Sequence, residues 1–236
     1  MLNLNNLKET LKLVVMKKIF YLLCCLLAIL LSACDMVDAN GHEYVDLGLP
    51  SGTLWATCNV GADSPEDYGD YFAWGETEPK STYVLGTYKW FNGDYNFLTK
   101  YCADSYCGTV DNKTILELSD DAANANWGGD WRMPTKAEVD ELRDTSYTTW
   151  IWTTQNGVNG YKVTSNTNGN SIFLPAAGCC YNYELFNAGS YGSFWSSSLY
   201  TSNSNDAYHL YFYSDDVNRA YNYRYYGRSV RPVVRE

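Results

Sequence analysis

Histidine is scarce in this sequence, and lysine is absent from about its last third. Only two His occur among the 236 residues, His42 and His209, and no Lys follows Lys162. Zinc sites need clustered His and Cys ligands at regular spacing, so this distribution argues against a metal site. Solvent-facing strands usually contain Lys, and its absence indicates that solubility alone did not determine the C-terminal composition.

Positive charge is also in short supply. The formal net charge is −10, and removing residues 1–33 takes away four Lys and one Glu, which leaves a net charge near −13. Nucleic acids and anionic membrane surfaces bind basic patches, so we expect neither as a partner. Nothing in the composition calls for a cofactor, and we expect none.

An apolar run near the N-terminus predicts an exported protein. Residues 16–18 are a short basic region, residues 19–31 are apolar, and small residues follow up to Cys34. The run is too short for a comfortable membrane span. The segment Leu31-Ser32-Ala33-Cys34 matches the lipobox of bacterial lipoproteins, so we expect Cys34 to carry lipid; a plain secretory signal is the alternative.

These signals divide the chain into three parts. We expect residues 1–33 to be a signal peptide that truly starts at Met16, residues 34–41 to be a lipidated tether, and residues 42–236 to form one ligand-binding domain. The expected location is the bacterial cell envelope, with the outer membrane favoured and surface exposure left open.

Five cysteines remain in the expected mature domain, and export permits disulfides between them. Cys102 and Cys107 are the most plausible local pair, and an odd total leaves at least one thiol unpaired. Cys179 and Cys180 are adjacent in sequence, an awkward geometry for a reactive pair, and no neighbouring basic residue is visible to lower their pKa. We therefore expect no catalysis from them and no enzyme.

The domain is predicted to be α+β with mainly antiparallel strands. Alternating apolar and polar residues at 42–49 and 53–60 predict a hairpin or two adjoining strands, and short strands at 148–153, 161–164 and 171–175 predict an antiparallel sheet.

Two helices are expected between these sheets. Residues 111–124 contain apolar residues at helical spacing, and Thr135 with Glu138 three residues later forms a capping box for a second helix. Residues 61–108 lack periodicity and predict long loops. Trp74 and Trp90 either anchor these loops to the core, which we favour, or stack against a sugar.

The C-terminal region is predicted to be three further strands, at residues 191–198, 209–213 and 228–234, with the last one lying near the first strand of the domain. In the middle strand, Leu210 and Phe212 alternate with Tyr211 and Tyr213, which predicts one buried and one exposed face. Of the 22 Tyr in the chain, 11 lie between Tyr181 and Tyr226. Tyr, Asn, Ser and Asp dominate the polar positions there, as in adaptable binding surfaces.

Three motifs in order carry a family resemblance: residues 126–135 (NWGGDWRMPT), 194–198 (FWSSS) and 227–233 (GRSVRPV). They resemble the Fibrobacter succinogenes major paralogous domain family. That resemblance covers roughly residues 44–234 and implies a C-type-lectin-like fold of the formylglycine-generating type, with antiparallel sheets, two short helices and long loops. Relatives of this fold include enzymes that oxidise a Cys.

The region 179–228 also resembles the variable region of diversity-generating retroelement targets, in which adenines of template Asn codons are mutated. The resemblance implies a diversified ligand-binding surface; a fixed surface shaped by ordinary selection is the alternative. The positions that it assigns to ligand contact are Tyr181, Asn182, Tyr183, Phe186, Tyr191, Ser193, Tyr200, His209, Tyr211, Tyr213, Asp215, Asp216, Tyr221, Asn222, Tyr223, Tyr225, Tyr226 and Arg228.

These observations favour a lipid-anchored, non-enzymatic receptor for a protein or other macromolecular ligand. A fixed-sequence adhesin or glycan-binding lipoprotein of the same fold is the second hypothesis, and an oxidase of the formylglycine-generating type is the third. Residues 76–79 only superficially resemble the calcium motif of sugar-binding lectins, because the Glu-Pro-Asn triplet is absent, so no metal is expected.

Overall fold

The chain folds mainly into antiparallel strands with two short helices, in a computed structural model that describes residues 36–38, 40–93 and 98–235. The predicted signal peptide and Cys34 lie outside the described residues. The predicted predominance of antiparallel sheets with two short helices is confirmed, and the fold is broadly α+β or mainly β. In the described parts of the chain, no helix has the length and apolarity that a bilayer span requires.

Strands in the described residues form four sheets. Their bounds are β1 (Met36–Val37), β2 (Glu43–Asp46), β3 (Leu54–Ala56), β4 (Thr148–Gln155), β5 (Val158–Ser165), β6 (Ser171–Pro175), β7 (Cys179–Tyr181), β8 (Glu184–Phe186), β9 (Gly192–Leu199), β10 (Asp206–Tyr213), β11 (Asp216–Tyr223) and β12 (Val233–Val234). The sheet orders are β1-β2-β3-β12, β4-β5-β6, β7-β8 and β11-β10-β9.

The first sheet brings the two ends of the domain together. β2 and β3 form the predicted hairpin, and β12 pairs with β3 through Val233 and Trp55, as the terminal-strand prediction required. The compact unit that contains this sheet includes Met36 and Val37, which belong to the expected tether. Asp38 holds this early segment in place, because its carboxylate accepts hydrogen bonds from Trp131 Nε1 at 2.6 Å and His42 N at 2.7 Å.

Both helices have side-chain caps. The capping box of Thr135 and Glu138 is confirmed at the start of α2 (Lys136–Arg143). The other helix, α1 (Ala122–Trp127), begins later than the predicted range of 111–124. The reason is that Asp121 caps it, accepting from two backbone N–H groups, while Ile115 lies upstream in a β-bridge with Ser198.

β9 separates two hydrophobic cores. Phe194 packs into a core with Leu210 and Phe212, whereas Trp195, the next residue, packs into a second core formed by the long loops. Trp74 lies in that second core and is fully buried, with its Nε1 donating to the Ser196 carbonyl at 2.8 Å. The loop-anchoring interpretation of Trp74 is therefore the one that its burial supports.

The predicted Cys102–Cys107 disulfide is wrong in this structure, where both residues are free thiols. Each sulfur has a different polar neighbour: the Cys102 thiol lies 2.9 Å from the Asp104 carbonyl, and the Cys107 sulfur lies 3.4 Å from Asn205 Nδ2. The loop between them is held instead by Asp111, whose carboxylate accepts from the backbone N–H groups of Tyr101 and Cys102.

Candidate ligand-binding surface

The hairpin of β10 and β11 gives the candidate surface its two sides. Leu210 and Phe212 pack against Phe194 and are buried, while Tyr211 and Tyr213 alternate with them and point to the opposite side. Phe212 is fully buried and Tyr213 is 42% exposed. The alternation predicted for this strand is confirmed.

Three tyrosines form a first ring group on the Tyr211 side. The ring centroid of Tyr191 lies 4.9 Å from that of Tyr213 and 6.2 Å from that of Tyr211. These distances are within the range of favourable aromatic pairing. Two tyrosines of β10 therefore meet Tyr191, the residue that precedes β9, at one place.

A second ring group comes from β7, β8 and the segment that follows β11. The Tyr181 centroid lies 4.8 Å from Tyr226 and 6.2 Å from Phe186. Tyr225 lies 5.1 Å from Tyr226 and 5.3 Å from Tyr223, so these five rings form a continuous cluster.

Arg228 joins the two ring groups. Its guanidinium carbon lies 5.9 Å from the Tyr226 ring centre, and its Nη1 lies 3.4 Å from the Tyr191 hydroxyl. We name the combined surface the tyrosine face. It consists of Tyr181, Phe186, Tyr191, Tyr211, Tyr213, Tyr223, Tyr225 and Tyr226.

Three of the positions assigned to ligand contact lie beneath the tyrosine face rather than on it. Ser193 is fully buried, Arg228 is 1% exposed and His209 is 2% exposed. The physical reason is that their side of the β9–β10 sheet is covered by the second core, where Trp195 packs. The prediction that these three side chains contact the ligand directly is therefore corrected, because they are buried.

These buried polar groups bond to one another. Arg228 Nη1 donates to the Ser193 hydroxyl, and Ser193 Oγ lies 3.2 Å from His209 Nδ1. Complete burial, together with the positive charge of Arg228, holds the pKa of His209 well below its ordinary value. His209 is therefore neutral at physiological pH.

Tyr200 and Tyr221 form a separate cluster. Their rings stack at 3.7 Å with an interplanar angle of 7°, and the Tyr208 ring packs edge-on at 5.4 Å from Tyr200. In the continuous register of the hairpin, Tyr208 pairs with Tyr221 and lies on the side opposite to Tyr211. The assigned contact positions therefore do not all share one surface.

The remaining assigned positions lie in turns or on strand margins. Asn182 adopts a positive φ of 54° at the β7–β8 turn, a conformation that Asn tolerates well, and the neighbouring Tyr183 is 81% exposed. Asp215 and Asp216 are exposed at the turn of the β10–β11 hairpin, and Asn222 is partly exposed in β11.

Sequence reasoning missed β11 and the short β7–β8 hairpin. β11 (DVNRAYNY) places Val217, Arg219 and Tyr221 at every second position, so a period-two signal was available there. Its Asn and Arg residues weaken that signal, because only one of the three alternating positions is aliphatic.

The adjacent cysteines lie in an environment that disfavours their thiolate form. Cys179 and Cys180 are half-buried in β7, and burial raises the pKa of both thiols, that of Cys180 to about 11. A raised pKa disfavours the nucleophilic thiolate form. Within residues 36–38, 40–93 and 98–235, no group of three or more His, Cys, Asp or Glu side chains could hold a metal ion.

A groove of about 380 Å³ lies beside the hairpin turn, apart from the tyrosine face. Trp150 and Tyr161 contribute aromatic rings to its wall, and Arg143, Thr149 and Asp215 contribute polar groups. The Trp150 Nε1 donates to the Leu142 carbonyl at 3.1 Å and to the Thr148 hydroxyl at 3.0 Å, so its N–H already has partners within the protein.

Comparison with known proteins relates part of the chain to a family model. A family model described as Domain of unknown function (DUF8237) matches residues 138–233, a segment that runs from the first turn of α2 into β12 and includes the whole tyrosine face. No curated protein and no solved structure matches the chain.

Proposed function

We propose that this protein is a lipid-anchored receptor of the bacterial cell envelope that binds a macromolecular ligand, foremost a protein, through the tyrosine face. The scaffold that we propose for it is a C-type-lectin-like fold of the formylglycine-generating type. The mainly antiparallel sheets, the two short helices and the long loops are compatible with that scaffold.

One observation carries the proposal: two groups of aromatic rings, drawn from separate segments of the chain, meet around the buried Arg228. Tyrosine offers a broad contact area with little loss of side-chain entropy, and it combines an apolar ring with a hydrogen-bonding tip. Trp195 and Phe212, both fully buried, lie under this surface and hold its strands in place.

Binding is favoured over catalysis by the state of the polar groups near the tyrosine face. A Cys-dependent oxidase needs accessible thiolates, whereas burial raises the pKa of Cys179 and Cys180. His209 is buried and neutral, so it lacks access to a substrate proton.

Phage panning with the purified domain tests the proposed surface. We expect most clones selected from a library of random 12-residue peptides to lose binding to a Tyr211→Ala/Tyr213→Ala variant. They should keep binding to Tyr106→Ala, since Tyr106 is equally accessible at 80% exposure and lies outside the tyrosine face. Clones that bind both variants equally well would place recognition elsewhere.

Diversification is tested separately, by deep sequencing of the gene within one culture. Adenine-templated variation should fall within codons 179–228, with a matching template repeat beside the gene. A uniform sequence and no such repeat would support a fixed-sequence adhesin instead.

The lipid anchor is tested with Cys34→Ala. This variant should be released from the membrane fraction, and unchanged fractionation would remove the lipoprotein assignment.

Glycan binding is the second candidate, and the groove at Trp150 favours it. An aromatic ring beside carboxylate, guanidinium and hydroxyl groups is a common arrangement for holding a sugar ring. A glycan array separates the two candidates: signals lost in Trp150→Ala and kept in Tyr211→Ala/Tyr213→Ala would support the groove, and the reverse would support the tyrosine face.

A further inference from the structure

Arg228 is a buried cation that the fold leaves incompletely satisfied. It is 1% exposed, and no carboxylate in the described part of the chain forms a salt bridge with it. Its two hydrogen bonds, to Ser193 Oγ and to the Tyr191 hydroxyl, both come from Nη1, and its buried Nε has no partner. A guanidinium has five N–H donors, and burying unpaired donors is costly.

Two other buried arginines show how the same fold normally treats this group. Arg224 makes four hydrogen bonds, one to the Tyr88 hydroxyl and three to backbone carbonyls. Arg231 also makes four, one to Asn59 Oδ1 and three to carbonyls. These two arginines hold loops together. Arg228 differs because it lies under the tyrosine face and retains unused donor capacity.

Tyr191 connects this charge to the surface. Its hydroxyl oxygen accepts from Arg228 at 3.4 Å, and no described residue accepts a hydrogen bond from the hydroxyl in return. A phenol that accepts from a cation becomes a stronger donor of its own proton. Tyr191 is a largely buried residue at 9% exposure, and its ring centroid lies 4.9 Å from that of the exposed Tyr213, so it borders the ligand side of the face.

We propose that Tyr191 and Arg228 form a subsite that receives a side-chain carboxylate of an acidic segment in a protein ligand. This inference rests on the proposed function, since it specifies the ligand of the same face. The Tyr191 hydroxyl donates directly to the carboxylate. The buried guanidinium stabilises the negative charge from behind, where low polarity and the neutral His209 leave its field unscreened.

The neighbouring charges locate this subsite at one end of the face. Asp216 pairs with Tyr213 in the hairpin register and raises, together with burial, the pKa of Tyr211. Because Tyr191 lies 4.9 Å from Tyr213, a carboxylate that reaches the Tyr191 hydroxyl avoids Asp216 only on the side of Arg228. The net charge of −10 repels acidic ligands in general, so a local cation such as Arg228 is needed to attract a carboxylate.

Tyr191→Phe is the primary variant because it removes the donor and keeps the ring. Peptides are selected from the random 12-residue library on the wild-type domain and are kept when they require Tyr211 and Tyr213. They are then synthesised with amidated C-termini, so that side-chain carboxylates alone are present. For each, Asp is replaced by Asn or Glu by Gln, one at a time, and the Kd is measured by titration calorimetry.

We expect these peptides to be enriched in Asp and Glu. One amide replacement should weaken binding to the wild type about tenfold, as for loss of a hydrogen bond to a charged group, and should have little effect on Tyr191→Phe. The control Tyr106→Phe should behave as the wild type, because Tyr106 is 80% exposed and lies outside the tyrosine face. Arg228→Lys, checked for folding by circular dichroism, should keep part of the acid preference.

Two results overturn the subsite and leave the proposed function standing: peptides that require the tyrosine face and show no Asp or Glu enrichment, or an amide replacement that weakens binding to the wild type and Tyr191→Phe equally. If no selected peptide depends on Tyr211 and Tyr213, the proposed function fails first and the subsite fails with it.

Discussion

Trp195 is expected to be the residue on which the tyrosine face most depends for its stability. Its side chain is fully buried, its Nε1 donates to the Phe72 carbonyl at 2.8 Å, and the Arg228 guanidinium lies 4.8 Å above its ring. Trp195→Ala removes a buried aromatic, which costs about 3–5 kcal/mol. Losing the Phe72 hydrogen bond and the cation–π contact adds about 1 kcal/mol each.

Since these contributions are not additive, we expect a total near 5 kcal/mol. With a urea m value of about 2 kcal/mol/M, the unfolding midpoint should fall by about 2.5 M. The matched control is Tyr213→Ala. Tyr213 is 42% exposed and lies on the same side of the sheet as Trp195, at the other end of that side. The loss of its ring should lower the free energy of unfolding by about 1 kcal/mol.

Circular dichroism during urea titration measures both variants. Equal midpoint shifts for Trp195→Ala and Tyr213→Ala would refute the division of the sheet into a supporting interior and a displayed surface. Trp195→Phe, which keeps an aromatic ring and loses the Nε1 hydrogen bond, should lie between the two variants.

Three further outcomes are expected. Burial acts to raise the pKa of Glu138, but hydrogen bonding, chiefly from Arg132, outweighs that effect and lowers the pKa from 4.5 to about 2. The stabilisation by the Glu138 carboxylate is therefore present above pH 4.5 and is lost as pH falls through 2. The difference in unfolding free energy between wild type and Glu138→Gln should shrink over that range, by up to about 3 kcal/mol. Burial raises the pKa of Asp121 to about 6, so wild type should lose stability relative to Asp121→Asn as pH rises from 4 to 6, and a constant difference would contradict the shift. Cys102 and Cys107 should both be alkylated in unfolded, unreduced protein, as mass spectrometry would show, and a requirement for prior reduction would restore the disulfide.

Local sequence signals predicted the elements whose causes are local. Thr135 and Glu138 are three residues apart and cap α2 through their own backbone and side chains, so the capping box was visible without knowledge of the fold. Leu210 and Phe212 likewise show their burial through alternation with Tyr211. In contrast, α1 depends on Asp121, which also accepts from the backbone of Met133 at 2.8 Å, a contact made across a loop.

Burial within the candidate surface was not predictable by the same means. Alternation separates Ser193 and Trp195 from Phe194, but it does not reveal that β9 has a core on each side. His209 shares the side of Tyr211 and is nevertheless buried, because the long loops cover one end of the sheet and leave the other end open. Such coverage depends on contacts between distant segments, including the 123-residue separation of Trp195 and Phe72.

The burial pattern also changes what a diversified surface would mean here. Mutation of adenines in Asn codons depends on the bases of the codon and not on the burial of the encoded residue. It would therefore act on the buried Ser193, His209 and Arg228 as well as on the exposed tyrosines. Random change at these three positions would disturb one hydrogen-bonded cluster under Tyr191, whereas change at Tyr213 or Tyr223 would alter contacts alone. Variants that still fold and bind would therefore have to conserve Ser193, His209 and Arg228 or replace them together. Most of the tolerated variation would lie at the exposed rings of the tyrosine face.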